Sequence, residues 1–195
     1  MDERKPVIAV DVDLTVVDTG QAWYDWLEAN AIEATHYEEM FDNDGKLPYN
    51  LAQHYTMPEG VDAFDFWRLE NLYDEAVCYE SAKVVLEHLY KKGWEIVWIS
   101  WCFDHGQHAE SKANMLRREF SFIEQKDFHF CQTKSKGIFS KSFDYFIDDR
   151  SAFINEMDES VVCFQINTPY TQDEELTRPV FTVDSWDEII NLLEV

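Results

Sequence analysis

The alternation of short apolar runs with amphipathic helical patterns from residue 81 onward restricts the possible folds most. Four runs rich in β-branched and aromatic residues predict strands at 94–100, 127–131, 143–148 and 161–166. The intervening stretches carry hydrophobic residues at helical spacing, and the first of them stops before Gly93, a residue typical of the position just past a helix. This alternation predicts an α/β fold, a Rossmann-like parallel sheet covered by helices.

The apolar run PVIAV at residues 6–10 predicts a further strand, buried on both faces as in the middle of a parallel sheet. Residues 19–80 then interrupt the alternation. Helical patterns at 20–33 and 62–76 flank a stretch that is rich in turn-forming residues. We therefore expect two domains: a core made of 1–18 and 81–195, and a small helical cap made of 19–80, inserted after the first strand.

Two aspartates, Asp11 and Asp13, follow the first strand directly. They are two positions apart, so on an extended backbone their side chains point to the same side. Without a compensating charge, their repulsion and desolvation would cost stability. An Asp-x-Asp pair is also common as a turn former or helix N-cap. Its position after a buried strand favours a bound cation, because ligands of open α/β sheets lie beyond the carboxyl ends of the strands.

Three more polar signals fall at or just after predicted strand ends: Ser100, Lys134 and the pair Asp148–Asp149. Taken alone, Ser100 could belong to a turn, Lys134 could be a solvated loop lysine, and the aspartate pair could be a helix N-cap. Only their ordered combination is informative. They could converge on the edge that presents the first two aspartates. The segment TKSKG also offers Lys136; Lys134 is preferred because it follows the predicted strand more directly.

The segment DVDLTVVD, then Ser100, Lys134 and IDD, resembles the four motifs of the haloacid dehalogenase (HAD) superfamily of phosphotransferases. The resemblance covers residues 6–18 and about 94–150. Within the superfamily, the sequence is most similar to the 5′(3′)-deoxyribonucleotidases and their bacterial and phage relatives. One departure is Leu14, which stands where these proteins usually have glycine.

The resemblance implies a Mg²⁺-dependent phosphomonoester hydrolase with an aspartyl-phosphate intermediate. Asp11 would attack phosphorus, and Asp13 would protonate the leaving oxygen and later activate water. Ser100 and Lys134 would hold the phosphate oxygens. The implied protein ligands of the Mg²⁺ cofactor are the Asp11 side chain, the Asp13 backbone carbonyl, Asp149 and, through water, Asp148.

The cap carries many aromatic residues and few bases, since residues 6–82 hold 17 acidic residues against Lys46 and Arg68. Exposed aromatics suit stacking on a neutral base, and the resemblance marks Trp67 as a substrate-binding residue. A (deoxy)nucleoside monophosphate is therefore the expected small-molecule partner. The net charge of −23 would repel a polynucleotide, whose binding depends on phosphate neutralisation.

The chain offers no run of about 20 apolar residues, so no membrane association is expected. Its four cysteines are widely spaced, which is typical of reduced thiols in a cytoplasmic protein. Two alternatives stay open. The same fold could hydrolyse another small phosphate ester or the 3′ end of a nucleic acid. An acidic interaction protein that mimics DNA on a degenerate core would also explain the charge.

Overall fold

The computed structural model describes residues 4–103, 106–132, 135–172 and 174–193. Six strands form a parallel sheet in the order β5-β4-β1-β6-β7-β8, and β2 and β3 form a separate antiparallel pair. The predicted α/β sheet is thereby confirmed. The strands are β1 (Val7–Val10), β2 (Glu33–Ala34), β3 (Tyr55–Thr56), β4 (Glu95–Trp101), β5 (Phe128–Cys131), β6 (Tyr145–Asp148), β7 (Val162–Ile166) and β8 (Phe181–Val183).

The central strand β1 is buried on both faces, as its unbroken apolar run predicts. Ile8 and Val10 belong to a core with the apolar sides of α2, α3 and α5, whereas Val7 and Ala9 pack with α4 on the opposite face. Gly93 follows α2 with a φ of +90°, the left-handed conformation expected of it. The helices are α1 (Thr19–Asn30), α2 (Glu80–Lys91), α3 (Gly106–Glu119), α4 (Ser151–Asn155) and α5 (Trp186–Leu193).

The strand order explains why polar residues that are distant in sequence meet. Strand β1 pairs in parallel with β4 on one side and with β6 on the other. The carboxyl ends of these three strands therefore lie side by side, and they carry Asp11, Ser100 and Asp148. The chain runs from β1 to β4 and β5 on one side and then crosses to β6 on the other side of β1, and ligands of open α/β sheets bind at such a point.

The segment between β1 and α2 has a hydrophobic cluster of its own, built around Trp23, Leu27, Leu51 and Phe66. It contains α1, the β2–β3 pair and three short 3-10 helices. The cluster also includes Tyr170, from the loop after β7, beside Leu47. A separate apolar cluster agrees with a cap, and the domain limits of 18/19 and 80/81 remain a prediction.

The prediction of a helix over residues 62–76 is wrong. The one helical segment there is a short 3-10 helix, Asp65–Arg68. Asp62 and Asp65 explain the difference. The backbone N–H of Phe64 donates to Asp62 Oδ1 at 2.9 Å, and that of Asp62 donates to Asp65 Oδ2 at 2.9 Å. Such local bonds to side chains compete with the α-helical pattern of backbone hydrogen bonds.

None of the helices among the described residues is long and apolar enough to cross a membrane.

Candidate active site

A cavity of about 460 Å³ opens at the carboxyl ends of the central strands. Asp11, Asp13, Asp149 and Lys136 line it on the side of the sheet. Aromatic rings form much of the remaining wall, and four of them come from the predicted cap: Trp23, Tyr49, Phe64 and Trp67. The cavity thus combines a charged floor with largely aromatic walls, which also include Arg68 and Arg150.

Three carboxylates meet on the floor of this cavity. Each of Asp11, Asp148 and Asp149 is buried, and one oxygen from each lies within 4.8 Å of the others. Asp11 Oδ1 accepts no hydrogen bond. The Thr15 hydroxyl donates to Asp149 Oδ1 at 3.4 Å. Buried carboxylate oxygens at this spacing are the donor set that a hard divalent cation prefers, so these residues fit Mg²⁺.

The crowding of these carboxylates shifts their protonation. Burial raises the pKa of Asp148 to about 7, with the neighbouring Asp11 charge adding to the effect and Lys136 opposing it. Burial, with the charges of Asp148 and Asp11, raises the pKa of Asp149 well above its usual value. In both residues burial is the main cause, and the charge of neighbouring carboxylates raises the pKa further.

Lys136 supplies a positive charge inside the cluster. Its Nζ lies 2.7 Å from Asp11 Oδ1, in a direction that makes no hydrogen bond, and donates to Asp148 Oδ2 at 2.7 Å. The side chain is almost fully buried, and although burial alone would lower the pKa of Lys136, the two carboxylates raise it. Gly137 permits this position, because a Cβ there would lie 2.6 Å from the backbone oxygen of Glu156.

Lys134, the lysine preferred from the sequence, lies outside the described residues. Of the two lysines in TKSKG, Lys136 is the one that the structure shows in contact with Asp11 and Asp148. Counting from a predicted strand end could not separate the two, because hydrophobic periodicity does not specify the course of the connection between β5 and the 3-10 helix Gly137–Ser142.

The carboxylate of Asp13 is held apart from the other three. Its Oδ2 accepts a hydrogen bond from Lys112 Nζ at 2.7 Å, and its Oδ1 accepts one from the Tyr73 hydroxyl at 2.8 Å. Lys112 also donates to Ser100 Oγ at 3.0 Å and to the Trp101 carbonyl at 2.6 Å. Burial would raise the pKa of Asp13, but Lys112 and the hydrogen bond from Tyr73 bring it below its usual value.

Sequence reasoning missed Lys112 and Tyr73. Lys112 is fully buried on α3, on the same face as Met115 and Leu116. A lysine at a core position of an amphipathic helix is unusual unless it is paired, which was the available signal. Tyr73 carried no such signal, because an apolar pattern accommodates tyrosine as an ordinary core residue.

Of the two remaining predicted site residues, Trp67 lines the cavity and Ser100 lies buried behind its floor, beside Asp13. Ser100 is buried, with its Oγ 3.5 Å from Asp13 Oδ2. Trp67 lines the cavity, and its ring packs edge-to-face on Trp23 and on Phe66, with centroids 5.5 and 5.1 Å apart. These contacts hold the indole at the wall, in agreement with either substrate binding or cap packing.

Leu14 lies beside the aspartates with a φ of +58°, and it is the one non-glycine residue with positive φ in the described ranges. A left-handed conformation costs a residue with a Cβ about 1–2 kcal/mol. The glycine usual in the resembled family would avoid this cost. Leucine adds a side chain to the cavity wall and to the apolar cluster around Trp23, which offsets part of the strain.

Several solved structures share the fold of this chain. A dehalogenase with an intermediate complex aligns at 12% identity and a TM-score of 0.63, covering 98% of each chain. A predicted phosphoglycolate phosphatase from Haemophilus somnus gives 15% identity and a TM-score of 0.62, with coverage of 99% and 100%. The HAD-hydrolase YfnB from Bacillus subtilis gives 11% and 0.54, with coverage of 99% and 100%. Among curated protein sequences, none matches this chain.

One family model matches nearly the whole sequence. It is described as 5′ nucleotidase, deoxy (pyrimidine), cytosolic type C protein, and the match spans residues 5–195. The match includes the aspartate pair, the buried lysines and the IDD segment. The chain therefore belongs to this family and is a phosphatase of the HAD superfamily.

Proposed function

We propose that the protein hydrolyses (deoxy)nucleoside monophosphates in a Mg²⁺-dependent reaction that passes through an aspartyl phosphate on Asp11. The observation that carries the proposal is the position of the buried carboxylate and lysine cluster on the floor of an aromatic-walled cavity. The cluster suits one phosphate group with its metal, and the walls suit an uncharged ring system.

In the first step, a carboxylate oxygen of Asp11 forms a bond to phosphorus while the bond between phosphorus and the nucleoside oxygen breaks. Asp13 acts in this step in its protonated form, although Lys112 and Tyr73 favour the ionised form in the free protein, and it gives its proton to that departing oxygen. In the second step, Asp13 takes a proton from water as the water oxygen attacks phosphorus, which releases inorganic phosphate and restores the Asp11 carboxylate. Lys136, and Ser100 as predicted from the sequence, bind phosphate oxygens; Lys136 takes the role expected of Lys134.

The charge balance of the site supports a divalent cation. When they are ionised, the three clustered carboxylates of Asp11, Asp148 and Asp149 share one ammonium group, that of Lys136, so a formal charge of −2 is left in the cluster. Asp11, Asp148 and Asp149 would hold the ion, together with the Asp13 backbone carbonyl. When bound, Mg²⁺ supplies neutralisation of the phosphate charge. The YfnB structure is described as bound to magnesium.

The aromatic walls favour a nucleotide over a sugar phosphate. A sugar would require many polar partners, whereas Trp23, Phe64 and Trp67 offer ring faces and edges. The family description names deoxy and pyrimidine nucleotides, which agrees with this lining. We also propose a cytoplasmic location, supported by four cysteines that are all buried free thiols.

We expect phosphate release from deoxynucleoside monophosphates with Mg²⁺, and none after EDTA treatment. Mg²⁺ should also raise the melting temperature of the protein, because a ligand that binds only the native state stabilises it by mass action. The measurement is inorganic phosphate from a panel of nucleotides, sugar phosphates and phosphoglycolate. Faster hydrolysis of the sugar phosphates would contradict the substrate assignment, and unchanged activity in EDTA would contradict the metal.

Replacement of Trp67 by alanine should lower kcat/KM for nucleotides by about tenfold to a hundredfold. The reason is that stacking of a base on an aromatic side chain contributes about 1–3 kcal/mol. The same variant should hydrolyse 4-nitrophenyl phosphate at nearly the wild-type rate, because that substrate places no base against the indole. Equal losses on both substrates with a lower melting temperature would show instead that Trp67 only packs the cap.

A further inference from the structure

We propose that Tyr73 is a positioning residue for Asp13: its hydroxyl fixes the carboxylate that exchanges protons with the leaving group and with water. This inference rests on the proposed function and adds to it a residue outside the four sequence motifs. The hydroxyl donates to Asp13 Oδ1 at 2.8 Å.

The two donors to Asp13 act on different oxygens. Tyr73 bonds Oδ1 and Lys112 bonds Oδ2, so rotation of the carboxylate about its last side-chain bond would break both hydrogen bonds. Each oxygen keeps a further lone pair for a proton or for a substrate oxygen. The pair of donors thus sets the plane of the carboxylate without blocking it, which is the requirement for an efficient proton donor.

Tyr73 is itself held firmly. Its side chain is 1% exposed, its ring packs edge-to-face on His108 with centroids 5.4 Å apart, and Lys112 Nζ lies 4.7 Å from the ring centroid. Its backbone N–H donates to Ser111 Oγ at 3.1 Å. All three of these contacts come from α3, so the phenol and Lys112 share one rigid support.

The place of Tyr73 in the chain differs from that of the other site residues. It lies in the last segment of the predicted cap, before α2 begins at Glu80, whereas Asp13 follows β1. The hydrogen bond therefore links this segment of the cap to the Asp13 carboxylate, which acts as acid and base. The packing of this segment against α3 therefore also determines the orientation of the Asp13 carboxylate.

The test is Tyr73→Phe, assayed on two substrates of similar size, phenyl phosphate and 4-nitrophenyl phosphate. Phenolate is a poor leaving group that needs a proton from Asp13, whereas 4-nitrophenolate leaves as a stable anion. We expect kcat/KM to fall by about tenfold or more for phenyl phosphate and by less than about twofold for 4-nitrophenyl phosphate. The constant kcat/KM reflects only the steps up to and including departure of the leaving group. Slow hydrolysis of the aspartyl phosphate therefore does not affect the comparison.

Tyr55→Phe is the matched control. Tyr55 is also buried and donates to a carboxylate, Glu28, at 2.7 Å, but it does not line the cavity. It should leave the ratio of the two kcat/KM values unchanged, whatever its effect on melting temperature. An unchanged ratio in Tyr73→Phe would overturn the positioning role, even if both rates fell. Failure of the wild type to hydrolyse any phosphomonoester would instead refute the proposed function.

Discussion

Asp11→Asn should abolish turnover while leaving the protein folded, with a melting temperature equal to or above that of the wild type. The amide is not a nucleophile, so we expect kcat to fall by at least about a thousandfold. Stability should not suffer, because the substitution removes one of three crowded negative charges, while Lys136 keeps its hydrogen bond to Asp148. Phosphate release and thermal unfolding, both measured without added metal and with Mg²⁺, provide the comparison.

Asp18→Asn makes the same change of charge only seven residues away and serves as the control. Asp18 is the N-cap of α1, where its side chain accepts from the Gln21 N–H, and asparagine caps helices about as well as aspartate. This control should retain activity. Wild-type-like turnover by Asp11→Asn would exclude Asp11 as the nucleophile, and an equal loss in both variants would show a general response to lost charge.

Site residues whose position depends on strand order could be predicted from the sequence. The run before Asp11 and the run before Asp148 are apolar enough to be central strands, and parallel strands place their carboxyl ends at one edge. A meeting of Asp11, Asp148 and Asp149 follows from that rule alone. The same rule places Ser100 near them, on the other neighbour of β1.

Site residues that come from elements other than the strand ends could not be predicted from the sequence. Lys112 lies in the second turn of α3 and Tyr73 in an irregular connection, so neither follows a strand. Their approach to Asp13 depends on how α3 packs against the sheet, which periodicity does not specify. Strand β8 was missed for a different reason: its three residues include two exposed ones, too few for an alternating pattern.

The choice between Lys134 and Lys136 can be decided by two matched variants. Lys136→Met should lower kcat/KM by about a hundredfold or more, since removal of one donor that stabilises developing charge typically has that effect. Lys134→Met removes the same charge two residues earlier and should retain most activity. The converse pattern, a loss in Lys134→Met alone, would restore the assignment made from the sequence.

Loss of folding could imitate this result, because Lys136→Met leaves Asp11 and Asp148 buried without their shared cation. Breaking a buried ion pair by removing one partner typically costs about 3–5 kcal/mol, whereas removing both partners costs far less. The double variant Lys136→Met/Asp148→Asn should therefore recover part of the melting temperature, while Asp11 still lacks its cation. Its amide oxygen can still accept from the Arg150 N–H as Asp148 does. Its activity should stay low, because the phosphate would lack Lys136 and the metal would lack Asp148. Recovery of activity together with stability would show that Lys136 acts on folding alone.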